Sequence, residues 1–408
     1  MMDSNSPDLP RGLELTSLSP TFRDDPFSVL NGLRDSVAVL EDGQLRDHVV
    51  FRADLVQKVL TDQTLLVDPR ALAQTSTRIM RGEDMSVETS MLHADGARHK
   101  RLRTLMLKAF NNRRLEAFRE RAREICNELL DAAGAEFDFV QQIARPMPTK
   151  VIIELLGVDR SLGEEFKVWS DQAIAFKLNP LADEETRTIG AEGLAAIDRT
   201  VADEVNRRLS SGDRPDDLIS GMMDAQTSTG ETFSVAEISQ HAQLLLIAGN
   251  QTTTDLMGTM VKSLMEQGTS YADLVRDPAL IPSAVEEAIR FEPPIFGTER
   301  ITQEEVVIEG VSIPKGHVIT ALLTAANRDP KMVERPDEFD IHRSQIKHVS
   351  FGGGAHRCIG APLAKLECEV LLQEMVRRFP AMKRADRAYA YDPNPGFRGL
   401  EFYWLCKN

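Results

Sequence analysis

Phe351-Gly352-Gly353-Gly354-Ala355-His356-Arg357-Cys358-Ile359-Gly360-Ala361 is a glycine-rich loop that runs straight into an amphipathic helical pattern. A thiolate at the start of a helix faces unpaired backbone amides and the positive end of the helix dipole. Both favour the ionised sulfur and let it bind a metal. Glycines at 352, 353, 354 and 360 let the backbone fold closely around that sulfur. A cysteine standing alone near a loop glycine is more often buried and inert. Here Phe351, Gly354, Cys358 and Gly360 coincide at fixed spacing, with His356 shortly before the sulfur.

Composition bounds the reading without producing it. At 408 residues the length allows more than one domain, but no Pro/Gly/Ser-rich linker or low-complexity run divides the chain. One mainly α domain over residues 1–408 is therefore expected, with residues 1–30 an irregular N-terminal segment. The formal charge of -15 and the lack of a basic tail argue against nucleic acid or an anionic membrane as partner. Residues 1–11 are polar and contain Pro7 and Pro10, and the longest apolar run, 244–248, is too short to span a bilayer. A soluble, cytoplasmic monomer is expected. Cys126, Cys358, Cys368 and Cys406 form no CxxC pair and no secreted disulfide pattern, so reduced thiols are the default and zinc is not expected.

Helical signals dominate the middle of the chain. Ser234-Val235-Ala236-Glu237 has capping-box spacing and opens a pattern that persists through Met265 until Gly268. Halfway along it lies Ala248-Gly249-Asn250-Gln251-Thr252-Thr253, a cluster of poor helix formers. The Thr252 hydroxyl can bond back to the carbonyl at 248 and open the helix locally, while Gly249 leaves room for a small ligand. A second helix is predicted from Ser283, with capping-box spacing to Glu286, ending before Pro293-Pro294. It carries Glu287 and Arg290 on one face, a pairing that by itself is usually exposed and of little energetic weight. His99 and Arg103 share a face of another helix. Strand signals are sparse: 48–51, and 305–313 with Glu309-Gly310 as a hairpin turn, followed by an apolar run at 318–325. The fold class is mainly α with small β-sheets.

The cysteine loop resembles the haem-binding loop of the cytochrome P-450 family, and so does much of the chain from residue 99 onward. The resemblance implies haem b with Cys358 as axial ligand, in which the thiolate pushes electron density toward iron. It implies that Phe351 packs beside the sulfur, that Gly352 and Gly360 shape the loop, and that His356, His99, Arg103 and Arg300 bind the haem propionates. Ala248-Gly249-x-x-Thr252 resembles the family's oxygen-binding stretch, with Thr252 hydrogen-bonding dioxygen and directing protons to it. Gln251 departs from the family, which usually has Asp or Glu there. An amide holds a water but does not release and regain a proton near neutral pH, so a water chain touching Thr252 and reaching Asp255 is the expected substitute. Glu287 and Arg290 resemble the family's Glu-x-x-Arg pair, implying a buried network with Arg343 that serves structure and haem retention. The implied fold is triangular and mostly α, with haem between the long helix and the cysteine-bearing helix.

Residues 99–114 contain Lys100, Arg101, Arg103, Lys108, Arg113 and Arg114 and no acidic residue, against the acidic balance of the whole. In the family the equivalent helix lies on the cysteine side of the haem, where such a stretch attracts an acidic ferredoxin. The chain shows no flavin or nicotinamide fingerprint and no iron-sulfur spacing, so electrons come from separate proteins. By position the substrate pocket draws on residues 71–92 and 166–179, and on Leu245, Ala248, Ile295, Phe296 and Phe397. These are mostly apolar, which suits a small or medium hydrophobic substrate. The expected activity is a monooxygenase using dioxygen. A peroxide-using enzyme, a haem-thiolate isomerase or dehydratase, and a haem sensor remain alternatives.

Overall fold

Proline at the first position of a helix loses nothing by lacking an N–H, and a Ser or Asp just before it supplies the cap. Both devices appear near the start of the chain. Ser19 caps the Pro20–Asp24 helix and Asp25 caps the Pro26–Ser36 helix, accepting the Ser28 amide at 3.2 Å. Residues 20–24 and 26–36 are thus helical, where an irregular segment over 1–30 was expected. The structure, a computed structural model, describes residues 15–17, 19–42, 47–72, 90–158, 162–177, 182–268, 270–394 and 396–407. The chain divides into two compact units: one of Met1–Ser86, Gly258–Cys358 and Arg387–Tyr403, the other of Val87–Met257, Ile359–Asp386 and Trp404–Asn408.

The first unit is organised on a five-stranded sheet in the order Val39–Asp42, Asp47–Val50, Val318–Ala321, Thr298–Thr302, Leu65–Leu66. Asp47–Val50 and Val318–Ala321 run parallel, and the other neighbours are antiparallel. The apolar run at 318–325 does not continue as one strand: it turns at Leu322 into the short Leu323–Ala326 helix. One core packs Val50, Val56, Leu60, Ile319 and Leu323, and another packs Phe22, Leu30, Phe51 and Phe296. The expected hairpin is present as Val306–Ile308 and Val311–Ile313. Glu309 and Gly310 both adopt positive φ, +50° and +85°, as a tight primed turn requires. The Ile281–Phe291 helix begins earlier than its capping-box spacing suggested. Pro282 fits its first turn, so Ser283 lies inside and gives its hydroxyl to the Ile341 carbonyl at 2.7 Å instead of capping.

The second unit is helical. Asn112–Ala132 packs on Ala361–Arg378 through Arg119 to Glu369 at 3.2 Å and Arg378 to the Asn127 side chain at 2.6 Å. Gly163–Lys177 and Glu184–Ser211 approach so closely that a Cβ at Gly190 would fall 2.2 Å from that of Phe176. A small sheet joins Glu136–Asp138, Trp404–Cys406 and Lys383–Arg384. The long helix spans Val235–Glu266, 32 residues, and its capping box is intact: Ser234 N–H donates to Glu237 at 2.9 Å and Glu237 N–H to the Ser234 hydroxyl at 3.2 Å. Among the described residues no helix is long and apolar enough to cross a membrane.

Candidate functional site

The cysteine loop is closed by its own backbone. Gly352 N–H donates to the Val349 carbonyl at 2.8 Å, a single 3-10 turn covers Gly354–His356, and Cys358 N–H returns to the Phe351 carbonyl at 2.8 Å. Gly352 and Gly354 adopt φ of +66° and +62°, a region that side-chain-bearing residues rarely enter. At Gly354 the space is also closed, because a Cβ would lie 2.6 Å from the Leu60 carbonyl oxygen. The loop is therefore seated on the end of the Ala53–Thr61 helix. Cys358 itself is exposed, whereas Cys126 and Cys368 are buried and their thiols pushed up by that burial, Cys126 to about 12. Gly360 is the N-cap of the Ala361–Arg378 helix and accepts the Ala364 amide at 3.0 Å, so Cys358 precedes the helix and does not open it. His356 is half-buried.

The Glu287–Arg290 pair is fully buried and bidentate, both bonds 2.8 Å long. Arg343 joins Glu287 at 3.0 Å, as does the Asp340 amide at 2.9 Å. The remaining Arg290 hydrogens go to the carbonyls of Asn327, Pro336 and Glu338 at 3.1, 2.8 and 3.0 Å. One carboxylate and two guanidinium groups thereby tie the extended chain at 336–343 to the Ile281–Phe291 helix.

On the long helix the Thr252 hydroxyl donates to the Ala248 carbonyl at 2.7 Å, yet the helix stays continuous where a local opening was expected. Gln251 donates through Nε2 to Asp255 Oδ1 at 2.8 Å, so the amide and the buried carboxylate one turn on form a unit. A Cβ at Gly249 would meet nothing within 4 Å, and Ala248 is exposed. Leu245 is buried.

His99 is buried and Arg103 half-buried on one face of the Gly96–Ala109 helix. Arg300 sits buried in the Thr298–Thr302 strand opposite Ile319. Ile295 and Phe397 pair in an isolated antiparallel bridge, and both are half-buried. Phe296 faces the other way and stacks on Phe22 at 5.3 Å inside the core. It is a core residue, which corrects its assignment to the pocket. Of the expected pocket segments, residues 73–89 and 178–179 lie outside the described residues. The cationic stretch is partly neutralised within the second unit, where Arg101 pairs with Glu237 and Arg114 with Asp216 at 3.1 Å; Lys108 keeps its charge while donating to the Gln226 carbonyl. Lys100 and Arg113 are exposed.

Sequence reading missed a second buried knot. Glu292, at the end of the Ile281–Phe291 helix, accepts from Arg398 at 2.8 Å and from the Tyr391 hydroxyl at 2.7 Å. Burial works to raise its carboxyl, but the charges of Arg398, Lys262 and Arg328 and the Tyr391 hydrogen bond together hold the group below the usual range. Arg398 N–H also donates to the Pro294 carbonyl at 2.8 Å, so the knot fixes the bridge between Ile295 and Phe397. Partners 106 positions apart leave no local pattern to read.

The first unit thus holds Cys358, Phe351, Gly352, His356, Arg300 and the Glu287 network, and the second holds His99, Arg103, Gly360 and the Leu245 to Asp255 stretch. The family profile described as cytochrome P450 matches residues 261–387. Cytochrome P450 monooxygenase PikC of Streptomyces venezuelae is 32% identical over 404 residues, covering 96% of this chain and 93% of PikC. The 6-deoxyerythronolide B hydroxylase of Saccharopolyspora erythraea is 38% identical over 296 residues, 72% of this chain and 71% of its own. The crystal structure of CYP109E1 from Bacillus megaterium in complex with testosterone superposes with a TM-score of 0.84 at 28% identity, covering 94% of this chain and 99% of that one. The chain belongs to the cytochrome P450 family and has its fold. Its relatives are hydroxylases, epoxidases and monooxygenases, and it is a P450 monooxygenase, a class that implies haem with a cysteine thiolate ligand.

Proposed function

We propose that the protein binds haem b through Cys358 and uses dioxygen and two electrons from a separate ferredoxin-type carrier to hydroxylate or epoxidise a hydrophobic, alicyclic substrate. One observation carries this reading: the exposed Cys358 thiol on a loop locked by its own amide and by two glycines in the left-handed region. The donor set also fits. An exposed thiol on a locked loop suits an iron whose other donors come from a macrocycle, since a thiolate is one of the axial ligands haem iron takes. His99, Arg103, Arg300 and His356 are the donors proposed for the anionic propionates. The open space beside Gly249 suits a small ligand against the helix.

When bound, the haem supplies the redox chemistry that activates dioxygen, and one oxygen atom enters the substrate while the other leaves as water. The chain supplies positions and protons. Cys358 gives electron density as a thiolate. Thr252 can rotate its hydroxyl from the Ala248 carbonyl toward a ligand beside Gly249. Gln251 does not titrate, so its part is to orient Asp255, and Asp255 holds and passes the proton. Ile295 and Phe397, fixed by the Glu292 knot, are the residues proposed for the substrate side from the first unit, and Leu245 and Ala248 those from the second. The testosterone complex among the related structures supports an alicyclic substrate.

The test is NADH-driven turnover with a ferredoxin and its reductase, on ligands first selected for displacing iron-bound water. Wild type should yield hydroxylated or epoxidised product, and Cys358→Ser none. Asp255→Asn should lower product per electron about tenfold, and Gln251→Glu should change it. Product from Cys358→Ser, or unchanged coupling in both distal variants, rejects the corresponding assignment.

A further inference from the structure

Residues 348–350 lead the chain into the cysteine loop, and they are clamped on both sides within the first unit. Val349 N–H donates to Asn327 Oδ1 at 2.9 Å, and Asn327 Nδ2 donates to the Ser350 hydroxyl at 2.7 Å. That hydroxyl donates in turn to the Ile289 carbonyl at 2.7 Å. His348 completes the clamp. Its Nε2 stands 2.9 Å from Glu286 Oε2, and its Nδ1 accepts the Ser350 N–H at 3.3 Å.

A backbone N–H can only donate, so Nδ1 is the acceptor and the ring proton sits on Nε2, directed at the carboxylate. The Phe351 ring lies 5.8 Å from the His348 ring in an edge-on arrangement. The Phe351 carbonyl then accepts the Cys358 amide at 2.8 Å. An unbroken path runs from Glu286 through His348, Ser350 and Phe351 to Cys358. It meets the neighbouring Glu287 network at Asn327, whose carbonyl accepts from Arg290 while its side chain holds Val349 and Ser350. The His348 side chain is 9% exposed, so its interactions are little diluted by water.

We propose that Glu286 and His348 are positioning residues for the Cys358 thiolate. The pair fixes the Phe351 ring and carbonyl, and through that carbonyl the Cys358 amide, and so holds the sulfur in the position from which it ligates. Carboxylate–imidazole pairs commonly orient metal ligands directly; here the pair acts one step back, on the loop that presents the ligand. A sulfur displaced by movement of its loop is held less well for ligation and donates less to iron. The proposal rests on the haem-thiolate reading above.

The experiment uses purified holoenzyme: wild type, His348→Ala, His348→Gln, Glu286→Gln and Ser234→Ala. The readouts are the share of the reduced carbon-monoxide complex in the thiolate-ligated form, the haem midpoint potential and the melting temperature. His348→Ala should show a several-fold larger share of the complex without thiolate ligation and a raised potential, because a misplaced sulfur donates less to iron. His348→Gln keeps a donor toward Glu286 and should move both readouts back toward wild type. Ser234→Ala loosens a remote helix cap and should lower melting alone. A His348→Ala variant that melts earlier with wild-type spectrum and potential overturns the proposal. If that variant does not hold haem, wild-type values in both His348→Gln and Glu286→Gln overturn it equally. Absence of the thiolate-type spectrum in wild type would instead refute the haem-thiolate reading and take this proposal with it.

Discussion

Two buried glutamates show how one residue type takes opposite charge states. Glu292 is kept below the usual carboxyl range by Arg398, Lys262, Arg328 and the Tyr391 hydroxyl, which together outweigh its burial. Glu367, in the Ala361–Arg378 helix, is 2% exposed, and among the described residues its Oε2 has no hydrogen-bond partner. Burial alone pushes its carboxyl up to about 8. In the unfolded chain a glutamate titrates near about 4.3, so between these values the folded state binds the extra proton. The stability this confers is complete below the unfolded value and is lost as pH rises through about 8. Glu367→Gln removes the titration. Relative to wild type, the variant should gain up to about 4 kcal/mol between pH 5 and pH 8, at roughly 1.36 kcal/mol per pH unit. Urea midpoints of both proteins at the two pH values check this. Parallel pH dependence in the two would show that Glu367 is ionised and paired.

At the level of elements, the chain that leads to the cysteine loop is held by side chains more than by regular structure. Arg290 makes a bidentate pair with Glu287 and bonds to the carbonyls of Asn327, Pro336 and Glu338. Removing it leaves Glu287 buried with only Arg343 as counter-charge, so Arg290→Ala should cost about 3–5 kcal/mol. Arg290→Lys should recover only part, since an ammonium cannot fork across one carboxylate and still reach those carbonyls. Thermal unfolding and haem content measure both effects; a lysine variant as stable as wild type would reduce the network to simple charge pairing. This pairing was legible only through its resemblance, because Glu and Arg three apart do not announce burial. The Ser234–Glu237 box and the Glu309-Gly310 turn were legible outright, since each depends on residues within one turn of itself. Ser283 misled because the capping-box spacing ignored Pro282, which already occupies the first turn. Helices at Pro20 and Pro26 were overlooked although Ser-Pro and Asp-Pro are start signals. Arg300 in its strand, Phe296 in its core and the Glu292 knot depend on partners far along the chain, and no window of sequence contains them.

Across the whole molecule, charge decides which redox partner is compatible. A chain with a formal charge of -15 repels an acidic carrier at long range. Productive encounter therefore needs a local basic region, and the stretch at 99–114 supplies less than its composition suggests. Arg101 and Arg114 have acidic partners and Lys108 is bonded to a carbonyl, so Lys100 and Arg113 are the exposed cations best placed to steer an acidic protein. Charge reversal at Arg101 would be a poor probe, because it would also place two carboxylates together at Glu237. The double variant Lys100→Glu/Arg113→Glu should reduce the rate of reduction by ferredoxin up to about tenfold at low salt. Wild-type rates should fall as ionic strength rises and the Debye length shrinks toward about 8 Å, while those of the double variant should change much less. Stopped-flow reduction at several salt concentrations separates the cases. A wild-type rate indifferent to salt, together with an unaffected double variant, would place carrier docking elsewhere on the surface and leave the stretch as an ordinary solvated helix face.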